Sequence, residues 1–286
     1  MPELPEVEVV KKSLNKNITE LIIKKIKVNN VKLRYKISIN DFKSILNKRV
    51  KNIKRRSKYI LIEMNNQKII LFHLGMTGKF FIEKKKHLKR LSFYHNLDRN
   101  YSHDHLVITF NNKSKLFYND VRRFGFIKVY KKNELNKCLH LKYLGPEPLS
   151  INFNFKYLFE QLKKKSLKIK DFLMNQKVVS GLGNIYVNEI LFLSKILPYR
   201  KSSSLKSFEI SKIISNTKQI LKKSIRFGGS SIRDFKNMQG KSGKFQEEFK
   251  IYGKIDQNCS NVNCNGIIKL VKISNRATYY CNQCQK

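Results

Sequence analysis

The chain has 286 residues, of which 41% are hydrophobic, and this is enough apolar material for two compact domains. Sixty Lys and Arg against twenty Asp and Glu give a formal charge of +40. A field of that size favours a polyanion such as nucleic acid, although compositional drift towards lysine would raise the charge without any function. No apolar run reaches the roughly eighteen residues of a membrane span, and the start lacks a signal-peptide pattern, so we expect a cytoplasmic protein.

The first predicted element is a short helix. Pro5 suits a first helical turn and Glu6 favours the N-terminal end of the helix. Three apolar residues would then share one face: Val7, Val10 and Leu14.

From about Ile22 to Tyr130 the chain changes to short β-rich runs separated by turn residues, which predicts a sandwich of antiparallel sheets. The runs are Tyr59–Met64, Ile69–Phe72, Lys79–Ile82, His105–Phe110, Lys115–Tyr118 and Phe126–Tyr130. Between them, Glu83–Tyr101 is polar, basic and without period, and we predict a long surface loop there. Beyond Leu144–Pro148 the period becomes helical, with helices predicted near Phe155–Lys164, Ile185–Ile196 and Ser207–Phe227.

Four of the five cysteines lie close to the end of the chain as two pairs. Four residues separate Cys259 from Cys264 and two separate Cys281 from Cys284. Four thiolates can surround one tetrahedral Zn²⁺ while a hairpin bridges the pairs, and a closed set of this kind builds structure and performs no chemistry. The fifth cysteine, Cys138, is expected to be structural.

Single residues elsewhere permit two interpretations each. Pro2 would become a nucleophilic secondary amine after removal of Met1, with Glu3 beside it as an acid, but many proteins begin Met-Pro-Glu for no chemical reason. Lys58 can contact a phosphate or lie on a solvated basic edge. Arg276, between the cysteine pairs, can bind a phosphate or be an ordinary hairpin arginine.

Three further positions are equally ambiguous. Met76 is either core filling or an exposed wedge, and Phe124, in the same loop as Arg122, is by itself more typical of a core. Asn184 follows Gly181-Leu182-Gly183 at the start of a helix, where main-chain amides can bind a phosphate.

Taken together, these segments resemble the formamidopyrimidine-DNA glycosylase family along nearly the whole chain. Eight motifs fall in family order: Pro2–Glu8, Arg56–Tyr59, His73–Met76, His103–His105, Arg122–Gly125, Leu144–Pro148, Gly183–Tyr186 and Arg276–Cys281.

The resemblance implies an α+β multidomain fold made of three segments, with DNA bound in the cleft between domains. These are an N-terminal antiparallel β-sandwich with an opening helix (1–148), a helical domain with a helix-two-turn-helix element (149–245) and a C-terminal zinc-finger hairpin (246–286). The implied partner is damaged double-stranded DNA, and the implied activity is excision of oxidised purines followed by β,δ-elimination at the abasic site. We expect one structural Zn²⁺, no small-molecule cofactor and a monomer.

The resemblance also implies residue roles. Pro2 is the Schiff-base nucleophile and Glu3 the acid at the sugar. Lys58 is a proton donor and phosphate contact in β-elimination, and Arg276 is a donor in δ-elimination and a DNA clamp. The DNA-binding positions are His103, Arg122, Lys165, Lys170 and Asn184. The residues that fill the gap left by the flipped nucleotide are Met76, Arg122 and Phe124.

Three departures from the family and two alternatives stay open. Val121 replaces the usual proline before the paired arginines, Glu83–Tyr101 is longer and more basic than expected, and the first cysteine pair is widely spaced. The first alternative is the sister group that acts on oxidised pyrimidines, which shares the Pro-Glu start and the finger, and base choice also depends on the capping segment near residues 228–243. The second is a noncatalytic zinc-finger protein, which would bind DNA or RNA without cutting it.

Overall fold

The computed structural model describes residues 1–84, 99–163, 166–230 and 245–286, together with the main chain of residues 87–90. Its contacts group into two compact units. Unit 1 contains residues 1–142 and 227–246, and unit 2 contains residues 143–226 and 247–286. The three-segment division at residues 148 and 245 stays a prediction. Within the described residues, no helix has the length and apolar character needed to cross a membrane.

Unit 1 is an antiparallel β-sandwich with a helix at its start, as predicted. The helices are α1 (Leu4–Ile18), α2 (Ile39–Lys43) and α3 (Leu139–Lys142). The strands are β1 (Ile23–Val28), β2 (Val50–Arg56), β3 (Tyr59–Met64), β4 (Lys68–His73), β5 (Lys79–Lys84), β6 (His87–Arg90), β7 (Asp104–Phe110), β8 (Lys115–Asn119) and β9 (Phe126–Lys131). One sheet has the order β1-β7-β8-β5-β6 and the other β2-β3-β4-β9.

The core of unit 1 lies between α1 and the two sheets. The predicted face of α1 is buried, and Leu14 and Val7 are 0% and 1% exposed. Phe72 of β4 meets Phe80 of β5 edge-to-face, with ring centroids 5.0 Å apart. Each fully buried side chain of this size contributes about 1.5–3 kcal/mol to the stability of the fold. The strand ends are therefore held in place, and so are the starts of the loops that leave them.

The prediction of a surface loop over Glu83–Tyr101 was wrong in part. Glu83 and Lys84 end β5, and β6 pairs with β5 in the register Phe81↔Arg90 to Lys84↔His87. β6 lies at the edge of its sheet, and edge strands are commonly charged because charge discourages pairing with other chains. That polarity hid the strand from a hydrophobic pattern, and the rest of the segment, residues 85–86 and 91–98, lies outside the described residues.

The described residues of unit 2 form four α-helices and a hairpin. The helices are α4 (Phe155–Lys163), α5 (Ile169–Met174), α6 (Asn184–Leu193) and α7 (Ser207–Arg226), and the hairpin strands are β10 (Ile268–Ile273) and β11 (Arg276–Cys281). Three of the helices confirm predicted ones, whereas the six-residue α5 was missed because it is too short to show a period. The buried Glu189 of α6 fixes the chain that leads to the hairpin by accepting hydrogen bonds from the N–H groups of Lys250, Ile251 and Tyr252 at 2.8–3.0 Å.

Candidate active site and metal centre

The amino terminus of unit 1 lies in a pocket of about 620 Å³ lined by Met1, Arg34, His73, Gly75, Met76 and Arg122 to Phe124. Pro2, the next residue in the chain, is buried. Burial lowers the pKa of the Met1 amine below 8.0. The charges of Lys58 and Arg122 lower this pKa further, while those of Glu3 and Glu6 raise it. An amine in these surroundings is more often neutral, and therefore nucleophilic, at neutral pH.

Two loops of unit 1 place the predicted wedge residues at the rim of this pocket. Met76 and Phe124 are 40% and 47% exposed, so the interpretation of Phe124 as a core residue was wrong. The Arg122 guanidinium lies 4.7 Å from the centre of the Phe124 ring. Met76 and Phe124 therefore place apolar surface at the rim of the pocket, where a bound partner would cover it.

The main chains of the two loops touch each other, which fixes how their side chains are presented. Gly75 has φ +60°, and a Cβ there would lie 2.4 Å from the nitrogen of Gly125, so only glycine fits. Asp120 joins the loops by accepting a hydrogen bond from the Thr77 hydroxyl and another from the N–H of Gly125 at 2.7 Å. The N–H of Arg122 donates to Thr77 Oγ1 at 3.0 Å.

The carboxylate of Glu6 joins the amino terminus to a distant part of unit 1. Glu6 is 2% exposed, and its Oε2 accepts from the N–H of Glu3 at 2.9 Å. Its Oε1 accepts from the N–H of Ser230 at 2.8 Å and from the Ser230 hydroxyl at 3.0 Å. Gly229 lies against it, since a Cβ there would be 3.2 Å from Glu6 Oε1. From the sequence, Glu6 was expected to favour the N-terminal end of the helix and lay in the motif Pro2–Glu8, but no local pattern indicated these partners.

Lys58 lies close enough to His73 for its charge to affect the pKa of that histidine, and His73 lines the pocket. Lys58 lies in the turn between β2 and β3 and is 6% exposed. Burial lowers the pKa of His73 to about 4, helped by the charges of Lys58, Arg34 and His140. Neutral His73 accepts a hydrogen bond from the N–H of Gly75 at its Nδ1, at 3.1 Å. Neither Arg34 nor His73 was assigned a role from the sequence, and Arg34 lies in none of the eight family motifs that would have indicated a role.

Unit 2 presents Arg276 at the tip of its hairpin. Arg276 is exposed and follows Ser274 and Asn275, both with positive φ, the backbone of a two-residue hairpin turn. Asn184 begins α6, and its Nδ2 donates to the carbonyl of Ala277 at 2.9 Å. Lys170 is fully buried, and its ammonium donates to the Ala277 carbonyl at 3.1 Å and to Thr278 Oγ1 at 2.6 Å.

Two of the predicted DNA-binding residues remain to be placed. His103 is half-buried at the end of a 3-10 turn in unit 1, and its Nδ1 has no hydrogen-bond partner among the described residues. Lys165 lies outside the described residues.

The four predicted metal ligands lie together in unit 2. The sulfurs of Cys259, Cys264, Cys281 and Cys284 all lie within 4.8 Å of one another. The distances Cys259–Cys284 and Cys264–Cys281 are both 3.6 Å, close to the roughly 3.8 Å between thiolates at 2.3 Å from one tetrahedral Zn²⁺. A Cβ on Gly266 would lie 2.6 Å from the Cys281 sulfur, so the chain gives these sulfurs room that only glycine leaves. The cluster fits one metal ion.

Comparison with known proteins agrees with this geometry. Residues 1–127 match the family model of the formamidopyrimidine-DNA glycosylase N-terminal domain, and residues 144–236 match that of its H2TH domain. Formamidopyrimidine-DNA glycosylases of Rickettsia felis and Rickettsia bellii are each 38% identical to this chain. The alignments cover all of this chain and 98% and 100% of theirs.

Solved structures of Lactococcus lactis Fpg have the same fold. A complex with DNA containing an abasic site is 33% identical, with 99% of each chain covered and a TM-score of 0.85. A complex with DNA containing N7-benzyl-Fapy-dG is 34% identical, with both chains fully covered and a TM-score of 0.86. A third, with DNA containing an oxidised pyrimidine, is 33% identical over both full chains, with a TM-score of 0.85. The sandwich, the H2TH helices and the four-cysteine hairpin together identify the chain as a member of the formamidopyrimidine-DNA glycosylase family of base-excision repair enzymes.

Proposed function

We propose that this chain removes oxidised purines, 8-oxoguanine and formamidopyrimidines, from duplex DNA through a Schiff base at Pro2, and then cuts the strand by β,δ-elimination. The observation that carries the proposal is the pocket at the amino terminus, where burial and the charges of Lys58 and Arg122 lower the pKa of the Met1 amine. Removal of Met1 would leave the nitrogen of Pro2 as the amine in these surroundings.

In the proposed reaction the nitrogen of Pro2 attacks C1′ of the damaged nucleotide, and the glycosidic bond breaks as the base leaves. Glu3 then protonates the ring oxygen O4′, so that the C1′–O4′ bond opens and C1′ forms an iminium with the nitrogen of Pro2. The resulting iminium withdraws electrons, so loss of a C2′ proton expels the 3′ phosphate, with Lys58 as proton donor and phosphate contact. A second elimination, with Arg276 as donor, expels the 5′ phosphate and leaves a one-nucleotide gap.

The target carbon is hidden in a duplex, so the nucleotide must leave the stack before Pro2 can reach it. The exposed Met76, Arg122 and Phe124 are suited to fill the space, which offsets a few kcal/mol of lost stacking. His103, Lys165 and Asn184 are proposed phosphate contacts. Lys170 was predicted to be another, but its burial supports the different role argued in the next subsection.

The metal is proposed to be a single structural Zn²⁺ held by the four cysteines. Four thiolates leave no open coordination position, so the ion would order the hairpin that carries Arg276 and take no part in the chemistry. The active species is proposed to be a monomer on damaged double-stranded DNA, which is the kind of ligand seen in the Lactococcus lactis complexes.

The test uses duplex DNA with 8-oxoguanine opposite cytosine, incubated with and without borohydride. Purified protein is compared with a Pro2→Gly variant and with a form extended by one residue before Pro2. We expect strand cleavage and a reduced covalent adduct, both strongly diminished when Pro2 is replaced or blocked. Tight binding with neither adduct nor cleavage would refute the amine mechanism and support a binding protein without catalysis.

A second candidate substrate is an oxidised pyrimidine, because one relative of the same fold was solved with such DNA. A parallel reaction with thymine glycol separates the two. Faster excision of thymine glycol than of 8-oxoguanine would assign this chain to the pyrimidine reaction.

A further inference from the structure

Arg276 is held on both sides by the short helix α5. On one side, the Ser274 hydroxyl of the hairpin turn donates to Asp171 Oδ2 at 2.8 Å. On the other side, the ammonium of Lys170 donates to the carbonyl of Ala277 and to the hydroxyl of Thr278. Two adjacent residues of α5 therefore contact the hairpin before and after Arg276.

Thr278 extends this connection to Arg276 itself. Its side chain is fully buried, and its hydroxyl accepts from Lys170 at 2.6 Å while it donates to the carbonyl of Arg276 at 3.0 Å. An unbroken series of hydrogen bonds thus runs from the Lys170 ammonium to the main chain of Arg276. The hydroxyl acts as acceptor and donor at once, which an isosteric valine cannot do.

The burial of Lys170 is costly and requires a reason. Lysine is almost never fully buried unless it is paired, and burial lowers the pKa of Lys170 to about 8 although Asp171 acts in the opposite direction. A direct phosphate contact would need an exposed ammonium, but this one is covered and already bonded to β11. Arg276, in contrast, is exposed at the tip of the hairpin.

We infer that Lys170, Asp171 and Thr278, which we name the Arg276 support, are positioning residues that act through Arg276. They fix the main chain on both sides of the guanidinium, so that it is presented to the abasic-site intermediate in one orientation. The inference rests on the proposed role of Arg276 in δ-elimination. Misplacement of a catalytic group by about 1 Å can cost on the order of 100-fold in rate, so loss of the support should affect the step that uses Arg276.

The experiment measures how elimination divides between its two products on a preformed abasic site. Single-turnover reactions on a gel separate the β product, which ends in an unsaturated aldehyde, from the δ product, which ends in a 3′ phosphate. The informative variants are Thr278→Val, Thr278→Ser and Lys170→Met. Lys272→Met is the matched control, because Lys272 is an exposed lysine on the same hairpin, paired with Ala277 on β11. Borohydride adduct yield, metal content and melting temperature are measured in parallel.

We expect Thr278→Val and Lys170→Met to lower the δ to β product ratio by about tenfold with adduct yield unchanged. Thr278→Ser should restore the ratio, and Lys272→Met should leave it at the wild-type value. An unchanged ratio in a folded, metal-loaded Thr278→Val protein would overturn the inference, as would an equal loss in Thr278→Ser. If Lys170→Met does not fold, the valine and serine pair decides. Absence of any adduct in the wild-type protein would instead contradict the proposed function.

Discussion

Protonation of His73 should destabilise unit 1 in mild acid. His73 is 9% exposed, and its pKa is lowered from 6.5 to about 4, chiefly by burial and then by the charges of Lys58, Arg34 and His140. Its Nδ1 accepts from the Gly75 N–H and therefore must be unprotonated. The stacked Phe126 ring, 5.5 Å away at 16°, keeps water from one face of the imidazole.

The sign and size of the change in unfolding free energy follow from the linkage between proton binding and folding. The unfolded chain takes up a proton at this residue below pH 6.5, whereas the folded protein does so only near pH 4. The stability that neutral His73 contributes is therefore complete above pH 6.5, is lost progressively as the pH falls and is gone below about 4. Between pH 7.5 and 4.5 this single residue should account for about 2.5 kcal/mol of lost unfolding free energy.

Two measurements check this. Imidazole NMR should show His73 as the Nε2–H tautomer with no titration until the pH approaches 4. In urea unfolding followed by circular dichroism, a His73→Gln variant should lose about 2.5 kcal/mol less than wild type between pH 7.5 and 4.5, because glutamine accepts from Gly75 without titrating. His103→Gln, at the half-buried histidine, serves as the control. Titration of His73 near 6.5, or equal pH slopes in both proteins, would refute the reasoning.

Three further predictions concern the amino terminus and the metal centre. Glu6→Gln should lower the free energy of unfolding by about 2–4 kcal/mol, because both carboxylate oxygens accept from N–H donors and the NH₂ group of glutamine would face one of those donors. The control is Glu8→Gln, at a part-exposed ion pair on the same helix, which should cost under about 1 kcal/mol in the same thermal unfolding experiments. Asn261 donates its side-chain amide to the Cys284 sulfur at 3.1 Å, so Asn261→Ala should weaken Zn²⁺ binding about tenfold in chelator competition, while exposed Asn265→Ala should not; equal affinities would remove Asn261 from the site. The Lys58 charge lowers the pKa of the Met1 amine, and we expect it to act in the same direction on the Pro2 amine that removal of Met1 would leave. Lys58→Met should therefore move the midpoint of borohydride trapping to higher pH, and an unmoved midpoint would contradict this.

Much of the site was legible as local pattern. The motifs around His73, Arg122 and Asn184 were recognisable in the sequence in family order. The cysteine spacing alone predicted a cluster, and the structure places the four sulfurs within 4.8 Å of one another. What local pattern misjudged was exposure. Taken by itself, Phe124 was interpreted as a core residue, although the family resemblance implied a wedge, and it is 47% exposed. The resemblance was also misleading at one position, since it implied a DNA contact for Lys170, which is fully buried.

The sequence by itself determined most of the secondary structure, because the side-chain period along a strand or helix is a local property, and among the elements that it missed were the short α5 and the charged edge strand β6. It also determined the metal ligands, because thiolate chemistry depends on residue type and spacing. Only the tertiary structure decided which groups meet across long separations. Ser230 reaches Glu6 over 224 residues and Thr278 reaches Lys170 over 108. Such pairs leave no trace in a local window, because burial and hydrogen bonding are settled by the packing of distant elements and not by the propensity of either residue.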